Sequence, residues 1–148
     1  MEELLRNAFP FWESLTEQQK TELCRNTVKS HCEKKTQLHF GGGECAGVQI
    51  IGSGRVRVFI TSPGGGDITL FRLIGGDVSI LSAACMLNGM DIELDMEMET
   101  DCTIYTIPKK VYRRLYDESA VVKDYTMEMI SEKFSDIMWL LNQFLFSN

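Results

Sequence analysis

The stretch from Ile50 to Asp77, IIGSGRVRVFITSPGGGDITLFRLIGGD, constrains the fold of this chain more than any other. Its short apolar runs are separated by glycine-rich turns, and the last ends in Gly75-Gly76-Asp77. Runs this short, returned by tight turns, pair as neighbouring antiparallel strands, so the spacing predicts a small antiparallel roll. Val48 to Ile51 and Arg55 to Thr61 read as strands about the turn Gly52-Ser53-Gly54. Pro63 to Asp67 reads as a hairpin loop and Ile68 to Ile74 as the returning strand.

Around this core the pattern changes in steps. Glu2 to Thr27 reads as helical, broken at Pro10, with Ser14 or Thr16 capping the second piece and Leu15, Leu23 and Val28 facing inward. From His31 to Phe40 the pattern is strand-like, with Cys32, Thr36, Leu38 and Phe40 alternating against Lys34, Lys35, Gln37 and His39. Gly41-Gly42-Gly43 lacks the lysine and hydroxyl that follow the glycines of a phosphate cradle, and reads as a turn. Val78 to Leu87 is a distorted strand or one helical turn, and Asn88-Gly89 a turn. From Ile92 the alternation is strict: Ile92, Leu94, Met96 and Met98 share one face, and Glu93, Asp95, Glu97 and Glu99 the other. Thr103 to Ile107 continues the sheet, and Pro108 opens a short helix from Lys109 to Tyr116.

The final helix is expected from about Ala120 to Phe146. Met127, Ile130, Phe134, Ile137, Leu141 and Phe144 recur at alternating steps of three and four, the spacing of a coiled-coil seam. Met129, Met138 and Leu145 form a second apolar stripe beside it. Two stripes need two partners, the chain's own roll and the helix of a second copy, so a symmetric homodimer is expected. One broad stripe packed only on the roll is the alternative.

The 148 residues suit one folding unit, here divided into a roll with its N-terminal helices (1–116) and a dimerisation helix (117–148). A net charge of -6 argues against this piece gripping nucleic acid alone, because phosphate contacts need clustered lysine and arginine. Met1 to Asn7 does not resemble a secretion signal, and no apolar run approaches the roughly 20 residues of a membrane span, so a cytoplasmic protein with no membrane contact is expected. Five irregularly spaced cysteines suit a reducing compartment.

The order of parts resembles the Crp/Fnr family of bacterial transcription regulators. The resemblance rests on GSGRVRVF, on GGGDITLFRLIGGD, and on ITLFRLIGGDVSILSAACML, which is similar to a subgroup reading ITLYRL..GD.C.LSASC.L. It covers nearly the whole chain. It implies a mainly β fold with flanking helices, a double-stranded β-helix (jelly roll) of the cyclic-nucleotide-binding type followed by the dimerisation helix. It also implies a winged helix-turn-helix after that helix, so DNA contact is expected only through a domain absent from this chain, which is read as an excised sensor half or a fragment.

Members that bind cyclic AMP carry a Gly-Glu pair for the ribose and an Arg-Ser-Ala for the phosphate. Carried onto this sequence, the arginine falls at Ile92 and the serine at Glu93, while the Gly-Glu falls near Ile80 and Leu81, with Ser82 beside them. A buried phosphate needs a cation or several donors, and a carboxylate in place of a donor repels it, so cyclic AMP is not the expected effector. The polar pair that reaches the nucleotide base falls at Ile137 and Met138. With Val58, Phe71, Leu73, Leu81 and Ile92 these would line an apolar pocket suited to a small apolar or aromatic effector, or to haem; a solid, ligand-free core is the alternative. Arg72 either answers an anionic group on an effector or points outward to the acidic row.

No resident cofactor is expected. The cysteines contain no CxxC, which disfavours an iron–sulfur cluster or zinc, and haem finds candidate axial ligands in His31, His39 and Cys85 with nothing to select one. Cys85 and Cys102 are read as small core residues. No catalytic constellation is expected. A cupin-type metal enzyme would need histidines in the core strands, where the sequence has none, and a dimerisation module without a ligand is the remaining alternative.

Overall fold

The computed structural model describes residues 1–40, 47–79 and 93–146. The strands are β1 (Val28–Cys32), β2 (Gln37–Phe40), β3 (Gly47–Ser53), β4 (Arg55–Thr61), β5 (Asp67–Ile74), β6 (Val78–Ser79), β7 (Leu94–Met98) and β8 (Cys102–Pro108). They form two antiparallel sheets, ordered β1-β8-β3-β6 and β2-β7-β4-β5. Nearly every connection carries the chain from one sheet to the other, which is the winding of a double-stranded β-helix. The helices are α1 (Glu2–Ala8), α2 (Glu17–Asn26), α3 (Lys109–Glu118) and α4 (Ala120–Phe146), with a single 3-10 turn at Trp12–Ser14.

The hairpin of β4 and β5 follows the expected bounds closely, and its register slips once, between Val58 and Phe59. At Gly54 the chain reverses with φ +97, and a Cβ there would lie 2.5 Å from the Asp101 carbonyl oxygen and 2.6 Å from the Cys102 sulfur. Only glycine fits that turn. Thr16 caps α2 through a reciprocal pair with Gln19: the Gln19 backbone N–H donates to the Thr16 hydroxyl, and the Gln19 carboxamide oxygen accepts from the Thr16 N–H.

Three expectations are corrected. The run from His31 to Phe40 is two strands in different sheets, because Lys35 turns the chain with φ 76 and its N–H donates to the Met98 carbonyl. Val28 is 55% exposed at the sheet edge instead of inward. Pro108 closes β8 and caps α3, which runs on to Glu118.

Packing divides into two apolar clusters. The first lies outside the roll, where Leu5, Phe9, Phe11, Trp12 and Leu23 of the N-terminal segment meet Val48, Ile50 and Ile107 of the sheet, Tyr112 and Leu115 of α3, and Val122 and Ile130 of α4. The second fills the roll with Ile51, Val56, Val58, Leu73, Leu94, Met96, Met98, Cys102 and Ile104. Alternation along β3 separates them: Val48 and Ile50 face the helices, and Gln49 and Ile51 the interior. Between α3 and α4 the buried Tyr112 hydroxyl lies 2.6 Å from that of Thr126. Thr126 donates its own proton to the Val122 carbonyl at 2.8 Å, so Tyr112 is the donor to Thr126. Burial then raises the Tyr112 pKa well above that of a free phenol.

Candidate functional site

The interior of the roll brings together Val58, Phe71, Leu73 and Ile137 of the expected effector pocket. Val58 and Leu73 are buried in its apolar cluster, and Phe71 packs against them from β5. Ile137 reaches the same cluster from α4. Strand residues and a long-helix residue thus converge, although Ile137 lies 79 positions after Val58. The Lys133 ammonium, one turn before Ile137, sits 4.6 Å from the centre of the Phe71 ring, a distance suited to a cation–π contact. Ile80, Leu81, Ser82 and Ile92 lie outside the described residues, as does Cys85.

Two expected contacts, Met138 and Glu93, are placed elsewhere, and Arg72 takes the outward of its two readings. Arg72 is directed away from the interior, and its Nε donates to Glu99 at 2.8 Å. Met138 is 49% exposed on another side of α4. Glu93 is exposed just before β7. For Arg72 the reason is pleating: its neighbours Phe71 and Leu73 face in, so it faces out. Arg55 donates to the same Glu99 oxygen at 3.0 Å, and Arg57 reaches Glu97 at 3.3 Å and Asp67 at 3.2 Å. Glu97 and Glu99 of the acidic row are therefore met by arginines of β4 and β5. Hydrogen bonding to Arg72 is the main cause that holds the Glu99 carboxyl below its usual range.

One polar feature of the interior was not anticipated. Gln49 is 4% exposed, and its Oε1 has no hydrogen-bond partner. Ser79, also buried, stands opposite it on β6, and Thr106 opposite it on β8. A glutamine between Val48 and Ile50 was the available signal, but a strand buried on both faces has no polar side to mark which residues point inward.

Histidine positions bear on the haem alternative. His39 lies on the outer face of β2, 2.7 Å from Asp95, and His31 is exposed on β1 between Ser30 and Cys32. Neither faces the interior cluster, so neither suits an axial role there. Among the described residues no three His, Cys, Asp or Glu side chains group to hold a metal, and no helix is long and apolar enough to cross a membrane. A polar surface groove of about 630 Å³ between α2 and α3 is lined in part by Arg25, Asn26 and the ion pair of Arg114 with Glu22.

The long helix has two different apolar sides. Ile130 is 4% exposed within the chain's own outer cluster, and Ile137 packs on the inner one. Both thus face their own chain and not the expected intermolecular seam, Ile130 buried in the outer cluster and Ile137 half-buried against the inner one. Phe144 lies on their side but is 63% exposed. Met127, Phe134 and Met138 are about half exposed and Leu145 is 76% exposed, all within one narrow stripe with the partly buried Leu141 at its edge. Met129 packs on the outer cluster.

No protein-family model and no curated protein matches the chain. Solved structures do. A protein described as a transcriptional regulator of the Crp/Fnr family from Eubacterium rectale is 36% identical with a TM-score of 0.87, over 96% of this chain and 66% of that one. The sensor domain of the transcriptional regulator DNR from Pseudomonas aeruginosa has a TM-score of 0.73 at 16% identity, covering 89% of this chain and 87% of that one. The catabolite activator protein of Thermus thermophilus has 0.72 at 16%, covering 93% and 64%. These last two show the shared fold alone. The chain spans about two thirds of the length of the Eubacterium rectale regulator. With more than a third of its residues identical to that regulator, and the same fold along nearly its whole length, the chain belongs to the Crp/Fnr family.

Proposed function

We propose that this chain is the effector-sensing and dimerising part of a Crp/Fnr-type transcription regulator, and that its effector is a small molecule other than cyclic AMP. DNA contact is assigned to the portion of such regulators outside the matched two thirds. The observation that carries the proposal is Ile137: a residue of the long helix packs directly on the apolar interior of the roll. A ligand that rearranges that interior acts on the helix without an intermediary. The exclusion of cyclic AMP is supported by the arginines of β4 and β5, which all engage carboxylates outside the roll. A buried phosphate without a cation is strongly disfavoured. The buried Gln49 instead offers a neutral hydrogen bond in an apolar wall, which suits an uncharged or weakly polar effector.

Calorimetric titration of the purified protein with cyclic AMP tests the effector class, and no saturable heat is expected. Tight binding would overturn it. In the longer regulator, Ile137→Asp should abolish the effector response, and an unchanged response would remove Ile137 from the sensing path.

A further inference from the structure

Two cysteines oppose each other at one end of the roll. Cys32 is the last residue of β1 and Cys102 the first of β8, and the two are direct cross-strand partners. Such partners have Cα atoms about 4.5–5.5 Å apart in antiparallel sheets, inside the roughly 4.4–6.8 Å range that a disulfide bridges. Register also places both side chains on the same face. Cys102 belongs to the interior cluster and Cys32 packs against that cluster. Both are free thiols. Cys102 is 1% exposed, whereas Cys32 is partly open to solvent.

The polar contacts of the Cys102 sulfur are weak. It lies 3.2 Å from the Thr100 carbonyl, 3.6 Å from the Arg55 carbonyl and 3.9 Å from the Thr100 hydroxyl, and the two carbonyls share its one proton. Rotation toward β1 gives up those contacts and part of the packing of Cys102 in the interior cluster. Cys24 lies apart, on α2 against the outer cluster, so among the described cysteines this is the one opposed pair.

We propose that Cys32 and Cys102 are a redox-responsive pair that a two-electron oxidant, a peroxide, closes into a cross-strand disulfide. The partly open Cys32 thiolate attacks one peroxide oxygen, leaving a sulfenic acid and releasing water after protonation. The Cys102 sulfur then displaces the sulfenic oxygen as a second water. Overall, two thiols and one hydrogen peroxide give one disulfide and two waters, and a dithiol reductant reverses the change. Burial, with the neighbouring Cys102 as a second cause, raises the Cys32 pKa. Thiolate is therefore scarce at neutral pH, and closure accelerates as pH rises toward that raised value.

The bond would have a mechanical effect. Among the described strands β1 is the edge of its sheet and pairs with β8 alone, and it links the N-terminal helices to the roll. β8 runs on into α3 and α4. A cross-link at Cys32 fixes the edge strand to the strand that carries the long helix. None of this depends on the effector proposal.

Hydrogen peroxide on the reduced protein, at neutral and at mildly alkaline pH, provides the test. Remaining thiols are then alkylated and the linked peptides mapped without reduction. Titratable thiols should fall from five to three, with one intramolecular Cys32–Cys102 peptide that disappears on adding dithiothreitol. Closure should be faster at the higher pH. Cys102→Ala alters a buried position and could fail to fold, so Cys32→Ser, at a partly open one, is the deciding variant and should yield no linked peptide. A bond involving Cys24, Cys45 or Cys85, a bond between copies, over-oxidised Cys32 beside intact Cys102, or five thiols after prolonged alkaline treatment would each overturn the proposal.

Discussion

Replacing Phe134 with alanine tests whether the open stripe of α4 joins two copies. The ring is 48% exposed in the single chain. An aromatic side chain buries about 150–250 Å² when fully covered, so roughly 100 Å² remains to be covered by a partner. At about 25 cal/mol per Å² that area is worth ~2.5 kcal/mol per copy. Two-fold symmetry counts it twice, and about 5 kcal/mol is an upper bound because alanine retains part of the contact and area bookkeeping overestimates. A loss of about 2–4 kcal/mol per dimer is the working figure, which weakens self-association by roughly 30- to 1,000-fold at 1.4 kcal/mol per decade. Sedimentation equilibrium over a concentration series reads it directly. Trp139 supplies the control, since it is 65% exposed but lies about 140° around the helix from Phe134. If exposure alone drove association, Trp139→Ala would weaken it more than Phe134→Ala; the stripe predicts the reverse. A monomeric parent protein, or a Trp139 effect equal to that of Phe134, would refute the reasoning.

Two further predictions concern stability. Tyr112→Phe removes the hydroxyl that donates to buried Thr126, while Thr126 keeps its bond to Val122; about 1 kcal/mol and a fall in Tm of roughly 2–4 °C are expected from thermal unfolding. Glu99 titrates below its usual range in the folded chain, chiefly through Arg72, so it favours folding above the ordinary carboxylate pKa and loses that contribution as pH falls through the depressed value. Urea unfolding across that range should show Glu99→Gln destabilised near neutrality and converging on the parent at acid pH.

Legibility followed local physics. The β4–β5 hairpin could be read nearly to the residue because its turns are marked by glycine and its strands alternate. The acidic row of β7 could be read as outward, and as one of the two possible partners of Arg72, because period-two patterning fixes faces. The break between β1 and β2 could not, because Lys35 adopts its positive φ without a glycine, asparagine or proline to announce it. Gln49 was hidden in a strand covered on both faces. On α4 the steps of three and four were found, but they straddle two sides. Ile130 and Ile137 sit about 60° around the helix from Met127 and Phe134, and only the position of the roll decides that the first two are covered.

That division gives the proposed regulator its coupling. In the proposed dimer, Ile137 answers to the roll interior and Phe134, less than one turn away, to the second copy. A rigid helix cannot shift one without turning the other. Allosteric coupling typically needs only about 1–3 kcal/mol. Burying or uncovering one large aliphatic side chain is worth about 1.5–3 kcal/mol. A change at the Ile137 contact alone is thus of the right size to bias how two helices meet, without a relay through the surface arginine–carboxylate network. Variants of that network, such as Arg72→Gln, would then alter acid stability through Glu99 while leaving the response to effector in place.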